Sequence, residues 1–399
     1  VGQALRELDP RASAAAAFGA ALRDRRLERQ FSLQKLGKCV LASGALIGKI
    51  EKAERRPHAD LVHRLDEALC AEGELVRLAA KFVDFYGGTV IPVVEGFSAE
   101  VVEERLRSLI VDVRTADHTM AADRLQEVVG HSKAAAAVAT RVSTDQRTTL
   151  WRAISEAQQL AGWMMFDRGH HRSAEAMFAE ARQSAERAKA LDLIAYIGGP
   201  NAAFMSTWSG NPARGAELAY GALSWAYRSG NLRLAAFVAT MAARAHAKMG
   251  ETDLCEHMLS AAEKALAQHC TDNSDPYWLA VFDRTALSGH RGSCLLDLGN
   301  PRQAVQALQE QEDAAPPTFV RNNIIWQLER ADANLQLGEI EAAVAGIDQT
   351  LDYAEQGPVT PRVVQVFRAA DLKLRSTACA DPASSTTRDR LREFISACA

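Results

Sequence analysis

At 399 residues the chain is longer than one hydrophobic core normally organises, so two domains, or one small domain with a repeat array, are expected. Hydrophobic residues make up 48% and charged residues 24%, and no uncharged apolar run approaches the roughly 18 residues of a membrane helix, which argues against a membrane-embedded class. Seven scattered cysteines without one C-x-x-C spacing suggest neither a zinc site nor a disulfide framework. Together with an opening VGQALRELDP that lacks a secretory layout, they set the expectation of a reducing cytoplasm.

Ala, Leu, Arg, Glu and Gln crowd the sequence, which favours an all-α fold. The net charge of -4 conceals an asymmetry, because from Phe18 to His58 ten Lys or Arg stand against four Asp or Glu. That pattern points to a polyanion-binding module on an acidic body. Phe18, Leu22 and Leu27 with their flanking arginines predict an amphipathic helix. Ser32 is then an N-cap before Leu33 to Val40, and Ser43 another before Gly44 to Lys52, whose inward face is Leu46, Ile47 and Ile50. Leu61, Leu65, Ala68 and Leu69 predict a fourth helix, and Leu75, Leu78, Ala79 and Phe82 a fifth.

The run SLQKLGKCVLASGALIGKIEKAERRP resembles the helix-turn-helix of lambda-repressor-like, Xre-type regulators. The resemblance is carried by Ser32, Leu36, Ser43, Ile47, Lys49, Ile50, Glu51, Arg55, Arg56 and Pro57. It implies a DNA-binding domain over residues 1–85 with double-stranded DNA as partner and Gly44 to Lys52 in the major groove. Gln34 and Lys35 would lie near the DNA backbone, Gly44, Ala45, Gly48 and Lys49 toward bases, and Lys52, Arg55 and Arg56 among the basic residues that hold phosphates. The sequence departs from that family at Leu33, where Gln is common, at Gly37, where Ala is usual, and at Leu41 and Ala53, where Gly is usual. Gly44, Ala45 and Gly48 carry no hydrogen-bonding side chains, so direct base readout would rest on Lys49 and Ser43. The alternative at this point is a helical bundle whose basic face is merely solvated.

The stretch YGGTVIPVVEGFS, residues 86–98, breaks the helical pattern and is the expected connection between domains. Beyond it the sequence repeats. With Gly169, Gly210, Gly250, Gly299 and Gly338 aligned, the positions seven earlier are Gly162, Ala203, Ala243, Gly292 and Ala331, all small; nine later stand Phe178, Ala219, Leu259, Leu308 and Ile347, all apolar. Antiparallel helices that approach closely, turn on glycine and fill the groove with a larger residue explain the pattern. It resembles the tetratricopeptide repeat, with spacings of 41, 40, 49 and 39 residues that exceed that family's period. Residues 99–141 are expected to form an opening hairpin or two, and Pro361 to Cys379 and Thr387 to Cys398 to close the array. The fold class is therefore all-α, a small helix-turn-helix domain followed by a tetratricopeptide-like α-solenoid over residues 99–399.

This layout resembles actinobacterial Xre-type regulators with such repeats, and more loosely the peptide-sensing quorum regulators of Gram-positive bacteria. In tetratricopeptide arrays the first helix of each hairpin lines the inner groove. That places Trp163, Phe204, Arg244 and Asp332 there, with Asp167, Trp208 and Lys248 one turn further on. Stacking faces beside Arg244 and Lys248 would suit a ligand with an apolar body and an acidic group, a peptide terminus or a small acid. Equally, aromatics at helical spacing are ordinarily core and scattered charges a solvated lining. Asn201, with Asn322 and Asn323, has the donor and acceptor pair that clamps peptide backbones, or caps a helix starting after Pro200. The Gly198–Gly199 pair reads as a loop or helix start.

Metal-ligand spacing, phosphate-binding glycine motifs and a nucleophile elbow are not found. The sequence therefore predicts a non-enzymatic transcriptional regulator, without cofactor, metal or membrane association, acting as a homodimer and sensing a peptide or small-molecule signal. The alternative is a protein-interaction scaffold whose helix-turn-helix domain no longer reads DNA.

Overall fold

The computed structural model describes residues 14–40, 42–53, 55, 57, 59–69, 71, 73–79, 98–118, 124–270, 275–314, 319–357, 359–377 and 382–398. Leu41, Arg56, Phe82, Cys70, Cys379 and all of the expected connection except Ser98 lie outside them. The described elements are all helical, and the chain divides into two compact units, Val1–Val94 and Glu95–Ala399.

The first unit contains α1 (Ala14–Glu28), α2 (Leu33–Cys39), α3 (Gly44–Glu51), α4 (Ala59–Leu69) and α5 (Glu74–Ala79). Phe18, Leu22, Leu36, Ile47, Leu65 and Leu75 are fully buried and form its core. Ser32 caps α2 by accepting from the Lys35 amide at 3.0 Å, and Ser43 caps α3 by accepting from Leu46 at 3.2 Å, so both cap expectations hold. One of the departures acquires a reason and another a cost. A Cβ on Gly37 would lie 2.6 Å from the Ala42 carbonyl oxygen and 2.9 Å from the Gly44 amide, so α2 backs directly onto the turn. Ala53, past the end of α3, adopts φ 57°, the left-handed conformation that a glycine would take without strain. Arg26 binds both oxygens of Glu51, at 2.5 and 2.9 Å, with both side chains buried. This pair fastens α1 to the end of α3.

The second unit is a row of antiparallel helical hairpins: α6 (Ala99–His118) with α7 (Leu125–Ala139), α8 (Thr144–Asp167) with α9 (His171–Arg187), α10 and α11 (Leu191–Tyr196, Phe204–Trp208) with α12 (Pro212–Arg228), and α13 (Leu232–Met249) with α14 (Thr252–Gln268). After a 3-10 turn at Tyr277–Leu279 follow α15 (Arg284–Asp297) with α16 (Pro301–Ala314), α17 (Val320–Leu337) with α18 (Ile340–Ala354), and α19 (Pro361–Thr377) with α20 (Pro382–Ala397). First helices pack on first helices along the row, α13 on α15, α15 on α17 and α17 on α19.

The repeat phase has a direct structural meaning. Gly169, Gly210, Gly250, Gly299 and Gly338 all have φ between 75° and 86°. At each, the glycine amide and the next amide return to carbonyls of the preceding turn, as His170 does to Met165 at 2.9 Å and Glu339 to Asn334 at 2.9 Å, which ends the first helix. The small and large positions touch. A Cβ on Gly162 would sit 2.6 Å from the Phe178 ring, and one on Gly292 would sit 2.5 Å from Leu308.

One expectation is corrected. Gly198, Gly199 and Pro200 neither break the helix nor start one, because Ile197–Ala203 is a π-helical turn joining α10 to α11. Asn201 consequently caps nothing. It is buried, donating to the Tyr196 carbonyl at 2.8 Å and accepting from Gln159 at 2.7 Å.

Candidate functional site

In the first unit most of the motif residues are accessible. Gln34, Lys35, Ser43, Ala45, Lys49, Lys52 and Arg55 are exposed, and Gly44 and Gly48 half-buried. Lys35 stacks over Phe31 with Nζ 4.4 Å from the ring centroid. Gly44 is half-buried because α3 crosses α2 closely there, its Cβ position 3.1 Å from the Gln34 backbone. The glycine thus serves the crossing of the helices, and the hydrogen-bonding side chains on this face of α3 are Ser43 and Lys49. Arg56 lies outside the described residues.

The second unit holds a cavity on the inner row of first helices. Its lining includes Arg114, Asp117 and His118 from the end of α6, Trp163 from α8, Asn201 in the π turn, Phe204, Phe237 from α13, and Arg321 and Arg362 from the first turns of α17 and α19. The cavity measures about 70 Å³. One water molecule needs roughly 10–15 Å³ on this scale, so the space takes a small ligand of several non-hydrogen atoms.

Its walls are fixed by buried ion pairs between distant parts of the chain. Arg321 donates to Asp117 Oδ2 at 3.0 Å and also pairs with Asp167, while Arg362 Nε donates to Asp167 Oδ1 at 2.6 Å. Arg114 donates to Gln159 Oε1 at 2.9 Å, and Gln159 passes the chain of bonds to Asn201. The Arg362 guanidinium sits among four rings, 5.2 Å from the centroids of Trp163, Phe166 and Trp208 and 5.7 Å from that of Phe204. Electrostatics follow from burial. It is the largest influence on both arginines and pulls Arg362 below its usual value, whereas Asp117 and Asp167 hold Arg321 above its own. Burial lowers His118 to about 4, with Arg114 adding to the effect, and lowers His290 at the same cavity to about 3.

The sequence-expected ligand residues therefore separate into groups. Trp163, Asn201 and Phe204 line the cavity, and Asp167 and Trp208 hold Arg362 behind it. Arg244, Lys248 and Asp332 do not line it. Each faces an opposite charge, Arg244 toward Glu329 at 3.8 Å, Lys248 on Asp297 at 2.6 Å, and Asp332 on Lys373. The cations of the cavity are instead Arg114, Arg321 and Arg362, which no repeat position singles out. Among the described residues no group of three or more His, Cys, Asp or Glu is placed to hold a metal ion, and no helix is long and apolar enough to cross a membrane.

Residues 17–79 match the family described as a helix-turn-helix domain. No curated protein matches the chain. Among solved structures it is similar to Bacillus thuringiensis PlcR in complex with the peptide PapR7 and DNA, at 13% identity and a TM-score of 0.35 over 82% of this chain and 98% of that one. It is also similar to the apo form of the quorum sensor NprR from B. thuringiensis, at 12% identity and a TM-score of 0.42 over 94% and 99% of the two chains. Residues 17–79 of the first unit are thus a helix-turn-helix domain.

Proposed function

We propose that the chain is a DNA-binding transcriptional regulator whose hairpin array senses a ligand and adjusts DNA affinity. The observation that carries this reading is the helix-turn-helix domain of residues 17–79, in which Ser43, Lys49 and the basic Lys35, Lys52 and Arg55 are all exposed. On it, α3 enters the major groove, Lys49 and Ser43 reach base edges, and the flanking cations hold phosphates. The chain acts as a homodimer, since a single module of this size reads one half-site. The sensing site is the arginine-lined cavity, and its ligand a peptide terminus or a small acid.

The test is a titration of the full chain against the region upstream of its own gene at two salt concentrations. Specific binding that weakens steeply with salt is the expected result. A second reading, a protein-interaction scaffold, is favoured by the absence of side-chain donors at Gly44, Ala45 and Gly48; no binding even at low salt would establish it in place of the first.

A further inference from the structure

We infer that the cavity between α6, α8, α17 and α19 binds one small organic monocarboxylate with a flat apolar body. As the effector of the regulator proposed above, the anion rests on that reading; as an occupant of the cavity, it rests on the geometry alone.

The first argument is charge. Arg114, Arg321 and Arg362 line the cavity together with Asp117, and Asp167 lies directly behind it. His118 and His290 are neutral at pH 7, and burial raises the Tyr196 phenol above its ordinary value. On the wall itself three cations thus stand beside one carboxylate. The acids that balance these cations otherwise stand outside the cavity: Asp167 behind Arg362, and Glu156, whose largest charge influences are Arg114 and Arg152, the latter held by Asp192 at 2.9 Å.

The second argument is unspent hydrogen-bonding capacity. Arg114, Arg321 and Arg362 are 4%, 5% and 3% exposed, yet Arg114 Nε, Arg321 Nε and Arg362 Nη2 are buried donors with no hydrogen-bond partner. Donors left in this way in three arginines of one cavity are the complement of a carboxylate.

The third argument is orientation. Asp117 and Asp167 sit at the C-terminal ends of α6 and α8, and Arg321 and Arg362 at the N-terminal ends of α17 and α19. Each of these charges opposes the dipole of its own helix, so helix stability does not account for the arrangement. An anion among the two N-termini is favoured by the same dipoles.

The body of the ligand follows from the remaining wall. Trp163, Tyr196, Phe204, Phe237, Met241 and Val281 present rings and apolar groups, which suit a flat ring. A phosphate monoester would bring a second negative charge toward Asp117.

The test is calorimetric titration of the full chain at pH 7 with benzoate, phenylacetate and indole-3-acetate, with phenylacetamide as neutral counterpart and inorganic phosphate as the alternative anion. At least one acid is expected to bind, and phenylacetamide to bind roughly tenfold or more weakly than phenylacetate. Arg114→Gln removes one of the three lining cations and is expected to weaken acid binding roughly tenfold or more, with folding of the variant checked by its cooperative melting. Arg114→Lys restores the charge without the fork and recovers part of the binding. No heat from any acid at roughly millimolar concentration, equal binding of acid and amide, preference for phosphate, or undiminished binding in a folded Arg114→Gln chain each overturns the site. Repeating the titration beside a DNA-binding measurement separates the two claims. Acid binding that leaves DNA affinity unchanged removes the effector role and keeps the site, whereas DNA binding without acid binding removes the site alone.

Discussion

Arg362 donates Nε to Asp167 Oδ1 at 2.6 Å across 195 residues of chain. The bond joins α19 to α8, and both side chains are almost wholly buried. A hairpin array in which each repeat touches only its neighbours unfolds from any weak point; this pair adds a link between distant repeats. Asp167→Asn leaves Arg321 and Arg362 short of a counter-charge and is expected to cost about 3–5 kcal/mol. Urea unfolding followed by tryptophan fluorescence reads the loss. A change under about 1 kcal/mol would mean that the pair contributes no more than a surface bridge.

Acid should destabilise the second unit in two stages. In the unfolded chain His118 and His290 titrate near 6.5, in the folded one at about 4 and about 3, chiefly because both are buried. Between those values the unfolded state binds more protons, so stability falls as pH falls, by about 1.4 kcal/mol per unit for each histidine. Burial pushes Asp117 upward, but the charge and hydrogen bond of Arg321 outweigh it and hold it below its ordinary value. Its contribution is lost at lower pH still. Denaturation midpoints measured from pH 7 to pH 4 should decline, and His290→Leu should flatten the decline; an unchanged slope in that variant would assign the effect elsewhere.

Ala53→Gly is expected to stabilise the first unit by about 1 kcal/mol, since φ 57° is strained for alanine and free for glycine. Slower hydrogen exchange at the α3 amides would record the gain. Faster exchange would show that the added freedom of the unfolded chain dominates.

Gly162→Ala places a methyl group 2.6 Å from the Phe178 ring and should cost about 1–3 kcal/mol. Phe178→Leu in the same chain should return part of it. A double-mutant cycle in which the two changes simply add would show that the two positions are not coupled through this packing.

On the DNA-binding reading, Lys49→Ala should weaken binding most at the preferred sequence, and Arg55→Ala nearly equally across sequences. The salt dependence of binding should fall by about one for each phosphate that is no longer neutralised. Fluorescence anisotropy with matched and scrambled duplexes distinguishes the two variants. Unchanged affinity in both would favour the scaffold.

The hairpins were legible because each turn needs a left-handed residue, and glycine marks that need at Gly169, Gly210, Gly250, Gly299 and Gly338. The caps at Ser32 and Ser43 were legible for the same reason, being local chemistry. The cavity was legible only in part. Trp163 and Phe204 follow from repeat position and do line it. Arg321 and Arg362 reach it because the array brings α17 and α19 against α6 and α8, a relation 204 and 195 residues long that no local pattern encodes. Repeat position alone also nominated Arg244 and Lys248, whose charges are taken by Glu329 and Asp297. The π turn was missed because Gly-Gly-Pro is ordinarily punctuation.

That turn has a genetic reading. A widened turn such as Ile197–Ala203 holds one residue more than an α-helix needs, so a single inserted codon suffices to make it. Within it Asn201 stands at the cavity, bonded to Gln159. Deleting one codon there is expected to return the turn to regular α-helix and to carry Asn201 off Gln159, so the side of the cavity that a repeat presents depends on a single residue of spacing.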